Sequence, residues 1–114
     1  MPAGIELAHR IVDVVVDRLA EDVLLLDLTA LGAFADYFVI ATVDNERQMS
    51  AVVESVEQAA RASGFRAHSE GAPESGWVLV EVSGVVVHLF SREQRERYDL
   101  EGLWAHAREV VRVQ

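Results

Sequence analysis

Two spacings of apolar residues run along this chain, one near 3.6 and one of 2, and they mark out its elements. From Ile5 to Ala20, Ile5, Ala8, Ile11, Val12, Val15 and Leu19 form a helical stripe while Glu6, Arg10, Asp13 and Asp17 fall off it, which predicts an amphipathic helix. Its Val14-Val15-Val16 run has poor helix propensity, because β-branched side chains lose rotamer freedom there, so tertiary packing has to override it. Val23 to Leu28, charged only at Asp27, reads as a buried strand. Leu31-Gly32-Ala33 is a loop, and Asp36 to Thr42 is a second strand with Phe38 and Ile40 on one side and Tyr37, Val39 and Ala41 on the other. The two strands are expected to pair.

Asp44 or Asn45 is placed to cap a second helix, whose stripe is Met49, Val52, Val53, Val56 and Ala60 and which Gly64 stops. Phe65 to His68 reads as a short edge strand, and Ser69 to Ser75 as a polar, mobile loop. Trp77 to Val82 alternates Trp77, Leu79 and Glu81 against Val78, Val80 and Val82. Ser83-Gly84 is a two-residue hairpin turn, and Val85 to Phe90 is apolar on nearly both sides, as a central strand is. Ser91 and Gln94 have capping-box spacing and start a charged helix. Asp99 is expected to cap a final helix from Leu100, with Leu103, Ala107, Val110 and Val111 as its inner face and Gly102 weakening its first turn. Helices and strands alternating in this order predict a single α/β domain over residues 1–114, a mixed sheet flanked by helices.

Composition narrows what such a domain does. The chain of 114 residues has no Cys, which rules out a disulfide framework and a thiolate metal site. No apolar run approaches the ~20 residues that span a bilayer, and charges interrupt the first helix as they do not in a signal peptide, so a cytoplasmic protein with no membrane partner is expected. Nineteen acidic and ten basic residues, no Lys among them, give a net charge of −9. Direct sequence-specific nucleic-acid binding is therefore not expected, since phosphate contacts need clustered Lys and Arg; a basic protein partner is favoured instead.

Catalytic chemistry finds little to work with. Asp27 and Asp36 stand on separate segments, Asp13 and Asp17 lie on the first helix, and no Gly-rich phosphate loop or nucleophile with a recognisable base is present. His9, His68, His88 and His106 lack ligand spacing, so no metal and no cofactor is assigned. His88, alone among apolar neighbours, reads as a core histidine.

Several pieces taken in order carry a family resemblance: DYFVIAT at Asp36 to Thr42, Arg47-Gln48 opening a helix, Glu70-Gly71, Trp77, GVVVHLF at Gly84 to Phe90, and RYDLEGLW at Arg97 to Trp104. Together they resemble the ribosomal silencing factor family, over about Leu7 to Trp104. The resemblance implies a nucleotidyltransferase-like fold without enzymatic activity. It also implies binding to protein L-fourteen of the large ribosomal subunit, steric blocking of subunit joining, lowered translation, and a homodimer. A catalytically active nucleotidyltransferase-like enzyme or nucleotide-binding module is the alternative. The chain departs from the family pattern at Val43-Asp44-Asn45, where a Gly and a Ser are usual, and at Ser83-Gly84, where Gly-Asp is usual.

Trp77, Tyr98, Leu100 and Trp104 are the expected partner-binding residues, because Trp and Tyr bury much area at low entropic cost. Glu70, Glu81, Asp99 and Glu101 are expected to form an acidic rim for a basic partner, and Arg47 to reach the partner from its helix start. Leu103 belongs with these aromatics as a candidate for the partner surface, but as a helical partner of Ala107 it is expected in the core.

Overall fold

A computed structural model describes residues 3–114. Helix α1 (Ala3–Asp17) leads into strand β1 (Glu21–Asp27), then β2 (Tyr37–Val43), helix α2 (Glu46–Ala62), β3 (Ala67–Glu70), β4 (Trp77–Val82) and β5 (Val85–Ser91). Helix α3 (Arg92–Tyr98), a single turn α4 (Leu100–Leu103) and β6 (Arg108–Val113) follow. The strands form one six-stranded sheet in the order β3-β4-β5-β2-β1-β6. β2 and β5 run parallel at its centre, and every other neighbouring pair is antiparallel. Strands buried on both faces must be apolar at odd and even positions alike, which is why β1, β2 and β5 read as nearly unbroken apolar runs.

Two cores result, one on each face. The larger lies under α1 and α2, where Leu7, Ile11 and Val15 of α1 and Met49, Val52 and Val56 of α2 meet sheet residues such as Leu25, Val39, Val80 and Val87. The β-branched run in α1 is held by this burial, as its propensity requires. The smaller core joins Leu24, Leu26, Phe38, Ile40, Val86 and Phe90, with Trp77, Leu79, Leu100 and Trp104 packed against it. Only α3, α4 and connecting segments cover that second face, and the candidate site lies there.

Local chemistry fixes the joins. Asn45, not Asp44, caps α2: its side chain accepts from Gln48 N at 2.8 Å, while Gln48 Oε1 accepts from Asp44 N at 2.6 Å. Ser83 and Gly84 turn the hairpin with φ of 47° and 88°, the left-handed values such a two-residue turn demands. Ser91 Oγ accepts from Gln94 N at 3.2 Å, but the Gln94 amide donates to Ser75 O instead of returning to Ser91, whose own N–H is bound by Gly76 O. The edge strand lies at Ala67–Glu70, two residues beyond Phe65 to His68, and takes Ser69 and Glu70 out of the expected loop. What is left of that loop forms a 3-10 turn at Pro73–Ser75, tied to α3 by Gln94.

The end of the chain corrects the expectation of a final helix. Only Leu100–Leu103 is helical there, and Val110 and Val111 lie on β6, paired antiparallel with β1. The residues Leu103, Ala107, Val110 and Val111 have helical spacing, yet the open edge of β1 offers a hydrogen-bonded ladder that β-branched valines suit better. Leu103 is therefore not in the core; it is 75% exposed. Asp99 does not cap α4 with its side chain either. It sits at φ 45° as the left-handed end of α3, donating N–H to Arg95 O, and its carbonyl accepts from Gly102 N and Leu103 N. A Cβ at Gly102 would meet the Asp99 carboxylate, the end of an exposed side chain that would have to turn aside.

Candidate protein-docking surface

Cross-strand register places Glu70, Trp77 and Glu81, three of the expected contact residues, on the second face of the sheet. Glu70, Leu79, His88, Ile40 and Leu24 form one row across five strands, and Glu81, Val86, Phe38 and Leu26 form the next. Residues directly opposite one another share a face, so Glu70 and Glu81 stand exposed at the β3 side of an aromatic centre. Trp77, at the start of β4, stacks on Phe90 with ring centroids 5.0 Å apart and meets Tyr98 at 4.7 Å. Trp104 meets Phe38 edge-on at 5.5 Å. Leu100 and Trp104 are half-buried against the small core, whereas Tyr98 is 44% exposed and carries the Arg97 guanidinium 5.7 Å from its ring centre.

His88 stands in the middle of this face. It is 5% exposed, its Nδ1 accepts from Trp77 Nε1 at 3.3 Å, and its ring meets Phe38 edge-on at 4.6 Å. Its Nε2 has no hydrogen-bond partner among the described residues. Burial holds the imidazole pKa down to about 4, because a charge there would lose its water. His88 is thus a neutral histidine that fixes the Trp77 ring by accepting its N–H.

The acidic positions divide into two kinds. Glu70, Glu81 and Asp99 are exposed. Glu101 is turned inward to Arg95, which is 7% exposed and also donates to Asp22 O at 2.6 Å and Thr42 Oγ1 at 3.0 Å. Around this guanidinium lies a cleft of about 250 Å³ lined by Glu21, Asp22, Thr42, Arg92, Arg95, Glu96, Asp99 and Glu101. A buried cation is tolerated only when paired and hydrogen-bonded, and Glu101, Asp22 and Thr42 together meet that condition. Arg47 lies apart: it is exposed in the first turn of α2, a helix packed on the opposite face.

Sequence patterning missed two members of the site. Arg95 lies in a run of charges, Arg92 to Arg97, that reads as a solvated helix surface, and nothing local marks it as the buried one. Phe34 lies just past the Leu31-Gly32-Ala33 loop and before the strand read from Asp36, in neither; it is 81% exposed and its ring sits 6.0 Å from Phe38. An aromatic among small loop residues is the signal that marks it.

Among the described residues, no group of three His, Asp or Glu side chains is arranged to hold a metal ion, and no helix is long and apolar enough to cross a membrane. What this face offers to solvent is the exposed rings of Tyr98 and Phe34, the partly exposed Trp77 and Trp104, and carboxylates beside them. Comparison with known proteins gives that surface a context. A family model described as "Ribosomal silencing factor during starvation" matches residues 2–114. This chain belongs to the ribosomal silencing factor family.

Ribosomal silencing factor RsfS of Bacillus subtilis is 38% identical over 92 residues, which cover 80% of this chain and 78% of that protein. RsfS of Halalkalibacterium halodurans is 34% identical over 103 residues, covering 90% and 88%. A crystal structure of a Chromobacterium violaceum protein superposes with a TM-score of 0.84 at 28% identity, covering 97% of this chain and 92% of that one. A silencing factor is a regulatory protein, and the ribosomal silencing factor family is not known as one of enzymes. At Val43-Asp44-Asn45, where a departure from the family pattern is expected, Asn45 caps α2 with its side chain, a task that a Ser can also perform.

Proposed function

We propose that this protein silences ribosomes by occupying protein L-fourteen of the large subunit, so that the small subunit cannot dock. Family membership supplies the ribosomal context, and the observation that carries the reading is the aromatic surface around Trp77 and Tyr98, flanked by the exposed carboxylates Glu70, Glu81 and Asp99. Aromatic side chains are common energetic centres of protein interfaces, and ring-edge carboxylates steer a basic partner into register. Trp104 and Leu100 form the half-buried base of the surface. Glu101 contributes by holding Arg95 and so the bend that carries Tyr98 and Leu103. Arg47, on the far helix, is proposed as a peripheral contact.

Obstruction needs no chemistry. A bound factor that overlaps the docking site must leave before the rival subunit can join, so its binding free energy is converted directly into inhibition. The net charge of −9 favours association with a basic surface and makes the rate sensitive to salt. A homodimer of the factor in its free state is part of the same proposal and is measurable by analytical ultracentrifugation.

The test is co-sedimentation. The purified protein is expected to travel with isolated large subunits, to bind purified L-fourteen, and to reduce the yield of joined ribosomes when small subunits are added. Normal joining at a saturating concentration of the factor would overturn the proposal.

A further inference from the structure

The aromatic surface does not end at Trp104. Ring packing continues from Tyr98 and Trp77 through the buried rings of His88 and Phe38 to Phe34, at 4.7, 6.0, 4.6 and 6.0 Å between successive centroids, so that exposed rings stand at both ends of a buried series. Phe34 is the far end of that series, in the connection between β1 and β2, and at 81% it is the most exposed aromatic side chain described. A large apolar ring left in water gives free energy to whatever partner surface covers it.

The backbone that presents Phe34 is fixed. Ala35 beside it is buried, Ala33 packs on the small core, Leu28 N–H donates to Asp36 O at 2.8 Å, and Asp36 N–H donates to Gly84 O at 2.9 Å. The ring is therefore held out by pinned neighbours and does not lie at the tip of a loose loop. An anchor fixed in advance loses little entropy on binding, which is what an interface hot spot requires.

We propose that Phe34 is a second anchor of the docking surface, entering an apolar pocket on the same basic large-subunit protein that Trp77 and Tyr98 contact. This rests on the ribosomal reading above, and extends it across the whole sheet face to a residue outside the Trp77, Tyr98 and Trp104 group. The occupant is a protein with a positive surface around an apolar hollow. A second copy of this chain would bring the carboxylates of Glu70 and Glu81 toward another acidic face, and a nucleic acid would meet a chain with net charge −9.

The experiment measures affinity for isolated large subunits for the unaltered protein, Phe34→Ser and Phe34→Leu, together with urea unfolding and sedimentation velocity of each free protein. Phe34→Ser is expected to weaken binding roughly tenfold or more, with Phe34→Leu losing less, and with unfolding midpoint and self-association unchanged. Unaltered affinity in Phe34→Ser, while the parent protein binds, would overturn the inference and leave the ribosomal reading standing. Changed self-association without changed large-subunit affinity would assign Phe34 to a second copy and also overturn it. A fall in affinity that follows a lowered unfolding midpoint in both variants would make Phe34 a folding residue and overturn it too. If the parent protein fails to bind large subunits, the ribosomal reading falls, and this inference with it.

Discussion

Arg95 and Glu101 form a two-pronged ion pair across the bend between α3 and α4, with Nε and Nη2 of the guanidinium 3.1 and 3.0 Å from Glu101 Oε2. The pair fixes the segment that carries Tyr98, Leu100 and Leu103 against the sheet, because Arg95 is also bound to Asp22 O and Thr42 Oγ1. Removing Glu101 leaves the buried guanidinium only the longer pairing with the Asp22 carboxylate, at 3.5 Å. Glu101→Gln is expected to lower stability by roughly 2 to 3 kcal/mol in urea unfolding, less than a fully buried pair would because the carboxylate is partly solvated. Arg95→Met combined with Glu101→Leu is expected to recover most of that loss, which is the signature of a charge left alone and not of lost packing.

Acid should weaken the fold in two separable steps. The folded pKa of His88 lies near 4, below the ordinary 6.5, because burial opposes its charge. Between those values the unfolded chain binds the extra proton and the folded one does not, so stability falls as pH drops from 6.5 toward 4. The full effect is on the order of 3 kcal/mol. Asp27 acts lower: hydrogen bonds from Thr29 depress its pKa, with Arg108 adding to this, so its contribution is present above the ordinary carboxylate range and lost as pH falls through the folded value. His88→Phe is expected to flatten the upper step, read as urea midpoints between about pH 4 and 7, and to leave the lower one.

Asn45 is the residue on which the start of α2 depends. Asn45→Ala is expected to cost about 1 kcal/mol, and Asn45→Ser to restore most of it, since either side chain can accept from the Gln48 N–H. Thermal melts of the three proteins check this.

Exposure separates stability from binding at Leu103. Leu103→Ser removes a side chain that is 75% exposed, so its effect on unfolding is expected within about 0.5 kcal/mol, while affinity for the large subunit falls. Trp77→Ala is the contrasting case. Its ring stacks on Phe90 and donates to His88, so both stability and binding are expected to drop, and Tyr98→Ala is the cleaner probe of the surface.

The internal strands and both long helices were legible because burial on one or both faces leaves a periodic trace in the sequence. The hairpin at Ser83-Gly84 and the cap at Ser91 were legible because backbone geometry restricts which residues fit. What failed was the tail: Leu103, Ala107, Val110 and Val111 satisfy a helical stripe, and only the vacant edge of β1, distant in sequence, turns the last two into strand. Site chemistry was legible by residue type and less so by role. Trp77 and Tyr98 came together on one face, but Glu101 serves Arg95, a pairing that depends on a three-dimensional bend and leaves no spacing to read.

Because β6 lies against β1, that edge of the sheet is closed by a strand some eighty residues from its partner. Arg112 on β6 reaches Asp22 on β1 at 2.8 Å, and the Asp22 carbonyl in turn accepts from buried Arg95. The strand that closes the sheet edge thus also braces, through Asp22, the guanidinium that holds the bend after α3. Loosening that outer strand would be felt two strands away, at the bend that presents Tyr98.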